Sequence, residues 1–219
     1  MQLAFARAFA AAVTSLVLAA AGCVVAHAQP VPVAGRDYVV LEPSRPVAQG
    51  AAIEVIEFFY YGCAVCYESQ PHIGRWLESA GAGVTLRRVP AATFEAAENF
   101  ALTYYALEAT GNIPHLHWPV YDNHHFDDLR LGDEKNLLDW LARNGVDAER
   151  FREVRNSAQN RARVAEGRKV FEDYNVKGVP AFAVDGRYVT SARLAGSVRA
   201  MMEVVAYLVR RAREERSRK

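Results

Sequence analysis

The sequence predicts an α/β fold in which strands and helices near both ends flank a long helical block. Three observations predict it. Residues 53–61 are β-branched and aromatic and nearly continuous in apolar side chains, the pattern of a central strand covered on both faces. Residues 94–174 space their apolar side chains as helices do. From Ala181 the pattern returns to short strands around Asp185-Gly186, a two-residue hairpin signal. The 219 residues are 51% hydrophobic and 23% charged, which excludes a disordered chain, and the length fits one domain, or one domain carrying an insertion. Lys plus Arg number 26 against 25 for Asp plus Glu, so nucleic acid is not expected as a partner, because phosphate binding needs a basic surplus. Three cysteines are too few for a disulfide-stapled scaffold.

The first segment reads as a targeting signal. Residues 1–28 hold no acid and one base, Arg7, followed by an apolar run from Ala8 to Val25 and the small-x-small site Ala26-His27-Ala28. A secretory signal cleaved after Ala28 has this form. An uncleaved membrane anchor is the alternative, since the run is nearly long enough. Ala20-Ala21-Gly22-Cys23 allows a second alternative, a lipoprotein anchored through Cys23, although Ala20 stands where Leu or Val is the stronger signal. Cleavage after Ala28 leaves two cysteines, Cys63 and Cys66, in an oxidising compartment.

The remaining elements follow in order. Residues 30–50 are rich in Pro, Gly and Ala and form an extended leading arm, with a short strand possible at 38–41. The strand at 53–61 leads directly into Cys63-Ala64-Val65-Cys66. A helix then runs to about Ser79, with Ile73, Trp76 and Leu77 on one side, and a second strand covers 84–89. In the helical block Phe100, Tyr104 and Leu107 are helix-spaced. So are Leu137, Leu138 and Leu141, and then Phe151, Val154, Ala158, Ala162 and Ala165, read as one last long helix with Asp147 as its N-cap. Gly111-Asn112-Ile113-Pro114 and Asn144-Gly145 mark breaks. After the hairpin strands a final helix runs from about Ser197 to Arg213, and its basic tail reads as a solvated helix end.

Two cysteines at i and i+3 where a helix begins can bridge each other. The first stands at the positive end of the helix dipole, where backbone N–H groups favour thiolate over thiol. The second lies one turn in and is more buried. Thiol–disulfide exchange uses this asymmetry: one sulfur meets the substrate and the other resolves the mixed disulfide. Zinc sites also use CxxC, but its place after an apolar strand in an exported chain favours redox chemistry.

The segment Glu57-Phe58-Phe59-Tyr60-Tyr61-Gly62-Cys63-x-x-Cys66-Tyr67 resembles the active-site segment of the DsbA-type thiol:disulfide oxidoreductases, periplasmic members of the thioredoxin superfamily. Gly178-Val179-Pro180 before an apolar strand resembles their cis-proline loop, and the helical block between the two motifs points to the DsbA type. The resemblance implies a thioredoxin-like fold with an inserted helical domain: residues 29–92 and 172–219 as the thioredoxin-like domain and 93–171 as the insertion. It implies Cys63 as nucleophile, Cys66 as resolving cysteine, and Val179 with a cis Pro180 as the place where an extended substrate segment pairs. It implies that Glu57 is a buried acid that helps move a proton for Cys66; the alternative is a Glu that reaches solvent at the strand end. Pro71 matches a kinking proline of the active-site helix, with a structural role.

The expected function is therefore introduction of disulfides into reduced or unfolded exported proteins, in the periplasm, by a monomer needing no cofactor or metal and reoxidised by a membrane partner of the DsbB kind. A disulfide reductase or isomerase of the same fold is the alternative. A metal-binding module built from Cys63, Cys66 and the histidines His115, His117, His124 and His125 is a further one, although four histidines between helices read first as an exposed loop. His72 reads as a surface residue of the kinked helix. The chain departs from its family at Ala64 and Val65, where the best-known DsbA proteins have Pro-His. Without that histidine the Cys63 pKa is expected below the free value but above that of the Pro-His members.

Overall fold

The computed structural model describes residues 31–47, 50 and 52–218. The signal segment, its cleavage site and Cys23 lie outside the described residues. In chain order the elements are β1 (Val39–Val40), β2 (Ile53–Phe59), α1 (Ala64–Ala80), β3 (Val84–Pro90), α2 (Glu95–Ala109), α3 (Ile113–His125), α4 (Glu134–Arg143), α5 (Ala148–Arg155), α6 (Ala158–Asp173), β4 (Ala181–Val184), β5 (Tyr188–Ser191), α7 (Ala192–Ala195) and α8 (Val198–Ser217).

The sheet runs β1-β5-β4-β2-β3, with β2 parallel to β3 and antiparallel to β4. A parallel pair needs a crossover, and α1 supplies it. Because β2 is paired on both edges and covered on both faces, its sequence does not alternate. Ile53 and Val55 pack with Ile73 and Trp76 of α1 and Val205 and Leu208 of α8. Ile56 and Phe58 face Phe171, Tyr174 and Val176 on the other side, with Phe58 and Phe171 edge-on at 5.7 Å. The helices α2 to α6 lie between β3 and β4 in sequence and build a second core around Phe100, Tyr104, Leu107, Trp140, Leu141 and Phe151.

Three expectations need correction. The run from Phe151 to Ala165 is two helices, because Ser157 Oγ accepts the Asn160 N–H at 3.1 Å and starts α6 afresh. Asn160 Nδ2 then donates to the Arg155 carbonyl at 2.9 Å, one of those that the end of α5 leaves free. Asp147 caps only the short α5. Second, the four histidines do not lie in an exposed loop. All four are on α3, which Pro114 opens, and His117 is buried. Third, α8 runs on to Ser217, and its basic tail is not simply solvated. Arg211 donates to Tyr38 Oη at 2.7 Å and to Glu215 at 3.0 Å, and Arg216 pairs with Asp185 and with the Gly50 carbonyl at 2.8 Å. The tail thereby ties the leading arm to the sheet. At the hairpin Asp185 and Gly186 both take positive φ, as a type I′ turn requires, and Arg187 is an extra residue before pairing resumes at Tyr188.

Candidate active site

Past β2 the chain turns through Tyr60-Tyr61-Gly62 and sets Cys63 at the N-cap of α1. A Cβ at Gly62 would stand within 3 Å of the Tyr60 ring and hydroxyl, so glycine lets the turn close against that side chain. Cys63 keeps extended backbone (φ −95°, ψ 114°), and its Sγ accepts the Cys66 N–H at 3.3 Å. Ala64 and Val65 form the exposed first turn, whereas Cys66 is wholly buried. Both cysteines are free thiols. The Val179–Pro180 bond is cis, and the Val179 carbonyl oxygen lies 3.8 Å from Cys63 Sγ. A groove of about 380 Å³ opens beside this point, with Val65, Val176, Val179, Pro180 and Leu194 in its walls.

The two sulfurs are driven apart electrostatically. The Cys63 thiol is pulled down to about 7, first by its hydrogen bond with Cys66 and then, against the cost of burial, by the N–H groups of Cys66 and Val65. Burial above all, followed by the Cys63 sulfur, pushes Cys66 well above the ordinary thiol range, and the Glu57 charge adds to the rise. One thiolate therefore forms near neutral pH, and it forms on the accessible sulfur.

Glu57 is wholly buried beneath α1. Its carboxylate accepts from Gln70 Nε2 at 2.8 Å and from Arg88 Nε at 2.9 Å. The parallel register sets Glu57 directly beside Arg88, so the ion pair follows from strand alignment. Of the two readings of Glu57, solvent contact is the one the structure rejects. The histidines and cysteines do not converge: among the described residues no group of three or more His, Cys, Asp or Glu side chains is placed to hold a metal ion.

A sequence profile for the DSBA-like thioredoxin domain matches residues 69–204, a span that begins after the cysteine pair and so does not depend on it. The thiol:disulfide interchange protein DsbA of Azotobacter vinelandii is 32% identical over 179 residues, covering 82% of this chain and 84% of that protein. The DsbA of Bordetella pertussis is 36% identical over 162 residues, 74% of this chain and 77% of that one. The crystal structure of Pseudomonas aeruginosa DsbA superposes with a TM-score of 0.79 at 31% identity, covering 85% of this chain and 97% of that one. The chain belongs to the DsbA-like thioredoxin family. It is a thiol:disulfide oxidoreductase with a thioredoxin-like fold and a helical insertion, as the resemblance implied.

Within this family frame the structure brings Cys63, Cys66, Val179 and Pro180 to one point and sets Glu57 behind them. Pro71 sits exposed inside α1, and His72 beside it is half-buried. Sequence reading missed Gln70 and Arg88. Gln70 had a signal, since it stands four residues after Cys66 and so on the same helix face. Arg88 had none short of the β2–β3 register.

Proposed function

We propose that this chain introduces disulfides into reduced exported proteins, with Cys63 as the attacked and leaving sulfur and Cys66 as the resolving one. The observation that carries the reading is the contrast at one helix N-terminus: an accessible Cys63 held on the Cys66 N–H, and a Cys66 with no exposure. A client thiolate attacks Cys63 Sγ of the oxidised pair. The client–Cys63 bond forms, the Cys63–Cys66 bond breaks, and Cys66 leaves with the electron pair. Burial and the nearby Glu57 charge disfavour a Cys66 thiolate, so it takes up a proton. A second client thiolate attacks the client sulfur, and Cys63 departs as thiolate. The client gains one disulfide, and the enzyme holds the two electrons.

In this reading the Val179 carbonyl, at the edge of the groove, pairs with an extended client backbone, and the apolar groove takes a client side chain. Export to the periplasm follows from the signal-like residues 1–28. Among the described residues no helix is long and apolar enough to cross a membrane. Reoxidation falls to a membrane partner of the DsbB kind, acting on the same cysteine pair.

A second reading, net reduction or isomerisation, is favoured by one observation, the apolar pair Ala64-Val65 between the cysteines, which offers the Cys63 sulfur no side-chain donor or charge. A better thiolate leaving group makes a stronger oxidant, and the family's best-known member has ~3.5, a value that belongs to that relative and not to this chain. Cys63→Ser is expected to abolish exchange with a reduced peptide, and Cys66→Ser to trap client mixed disulfides. Full oxidase activity in both would defeat the mechanism. Equilibration of the pair against glutathione decides between oxidase and reductase.

A further inference from the structure

The histidines of α3 are not used by the reaction above, yet two of them reach the nucleophile's turn. His117, Tyr121 and His125 stand at i, i+4 and i+8 and form one stripe on the helix. All three meet Tyr61, two residues before Cys63. His117 Nδ1 lies 2.7 Å from the Tyr61 hydroxyl, and the Tyr121 ring meets the Tyr61 ring edge-on at 4.8 Å. His125 Nε2 lies 2.7 Å from the Tyr61 main-chain oxygen. A carbonyl only accepts, so Nε2 carries the hydrogen and the imidazole donates. His117 is held neutral, its pKa pushed down to about 3 by burial and then by Arg88.

The same helix also grips the chain after the pair. Tyr67, next to Cys66, is stacked between His125 (5.2 Å, 16°) and Trp118 (5.2 Å, 22°), and its hydroxyl donates to Asp122 at 2.8 Å. The turn's own hydrogen bond runs from the Cys63 N–H to the Tyr60 carbonyl at 3.0 Å and leaves the Tyr61 carbonyl to His125.

We infer that His125 is a positioning residue for Cys63: by donating to the Tyr61 carbonyl, with His117 on the Tyr61 hydroxyl, it holds the turn that keeps the Cys63 sulfur on the N-terminus of α1. The Cys63 thiolate is stabilised first by its hydrogen bond with the Cys66 side chain and then by the N–H groups of the first turn, with Sγ 3.3 Å from the Cys66 N, and the turn before α1 sets where the sulfur meets them. The inserted helix thereby takes part in setting nucleophile reactivity from outside the CxxC motif. The inference rests on Cys63 being the attacked sulfur.

The test uses two variants of the full mature protein. His125→Phe keeps a ring to stack on Tyr67 and removes the donor; His125→Gln keeps an N–H donor and removes the ring. The measurements are the absorbance titration of the Cys63 thiolate, the exchange rate with a reduced peptide at neutral pH, and Tm. His125→Phe is expected to move the thiolate midpoint above that of wild type and slow exchange about fivefold, the weight of one net hydrogen bond. His125→Gln is expected to restore both toward wild type whatever its Tm. A merely structural role would lower Tm and leave the midpoint in place. A wild-type midpoint and rate in His125→Phe overturns the inference, and so does a Gln variant displaced as far as the Phe variant. Cys63→Ser in the same assay separates the two levels: exchange surviving there defeats the functional reading, whereas exchange lost there with His125→Phe unchanged defeats only the role of His125.

Discussion

The Val65 side chain carries no group able to bond or charge the sulfur two residues before it, and the residue stands 41% exposed at the rim of the client groove. What lowers the Cys63 thiol is thus the Cys66 hydrogen bond and the α1 N-terminus, and together they bring it to about 7. Adding an imidazole at this position adds a donor or a positive charge beside the thiolate. Val65→His is therefore expected to lower the Cys63 midpoint below that of wild type and make the pair more oxidising, by about 30 mV for each 1.4 kcal/mol gained. Thiolate titration and glutathione equilibration of the two proteins measure it; an unchanged midpoint in the histidine variant contradicts the account. The exposed valine also keeps the groove apolar up to the nucleophile.

At the scale of elements, the helical insertion holds together through close packing of α2 against α6. Gly167 of α6 faces Tyr105 of α2, and a Cβ at Gly167 would stand 2.5 Å from the Tyr105 hydroxyl oxygen. The tyrosine cannot swing away cheaply, because its ring packs against Tyr104 at 5.4 Å and carries the Arg163 guanidinium at 4.6 Å. Alanine is the better helix former by about 1 kcal/mol, whereas overpacking costs about 1–3 kcal/mol. Gly167→Ala is expected to lower the denaturant midpoint despite its propensity gain. Tyr105→Phe removes the colliding oxygen and leaves the ring carbon at an ordinary 3.4 Å. The double variant is expected to recover the midpoint, a coupling that a double-mutant cycle reads directly. Additive effects would mean that the close approach is not what keeps glycine there.

For the whole molecule, the redox state and the folding equilibrium are linked through Cys63. Its folded-state pKa of about 7 lies below the ordinary value of 9.0, so ionisation favours the folded reduced protein. That contribution is complete above about pH 9 and is lost as pH falls through about 7. The oxidised protein has no thiol at this position and lacks the contribution. Reduced protein is therefore expected to gain stability over oxidised protein as pH rises from about 6 to about 8.5. Paired thermal melts of the two forms across that range check the sign, since the buried neutral His117 contributes alike to both and cancels in the difference. A stability gap that is flat or shrinks with rising pH contradicts the linkage.

The sequence by itself determined the order of elements and the cysteine pair, because those depend on local pattern: an apolar run too continuous for a half-exposed strand, a CxxC at a helix start, an Asp-Gly turn. It also placed Val179-Pro180 by motif, although the 116 residues separating Val179 from Cys63 say nothing of the 3.8 Å between them. Boundaries inside the helical block were less legible. The apolar spacing from Phe151 to Ala165 runs through a break that Ser157 makes with a single side-chain hydrogen bond. Glu57 was legible as an acid in an apolar strand, but its partner Arg88 depended on how β2 and β3 align, a matter of register and not of spacing. The histidines show the limit most clearly. Four in eleven residues read as an exposed loop, since nothing local says which face of a helix will be covered. Only the packing of α3 against the turn before Cys63 decided that His117 is buried and neutral and that His125 meets a main-chain carbonyl 64 residues away. Local pattern specifies what each segment is; long-range packing specifies which polar groups lose water and must find each other.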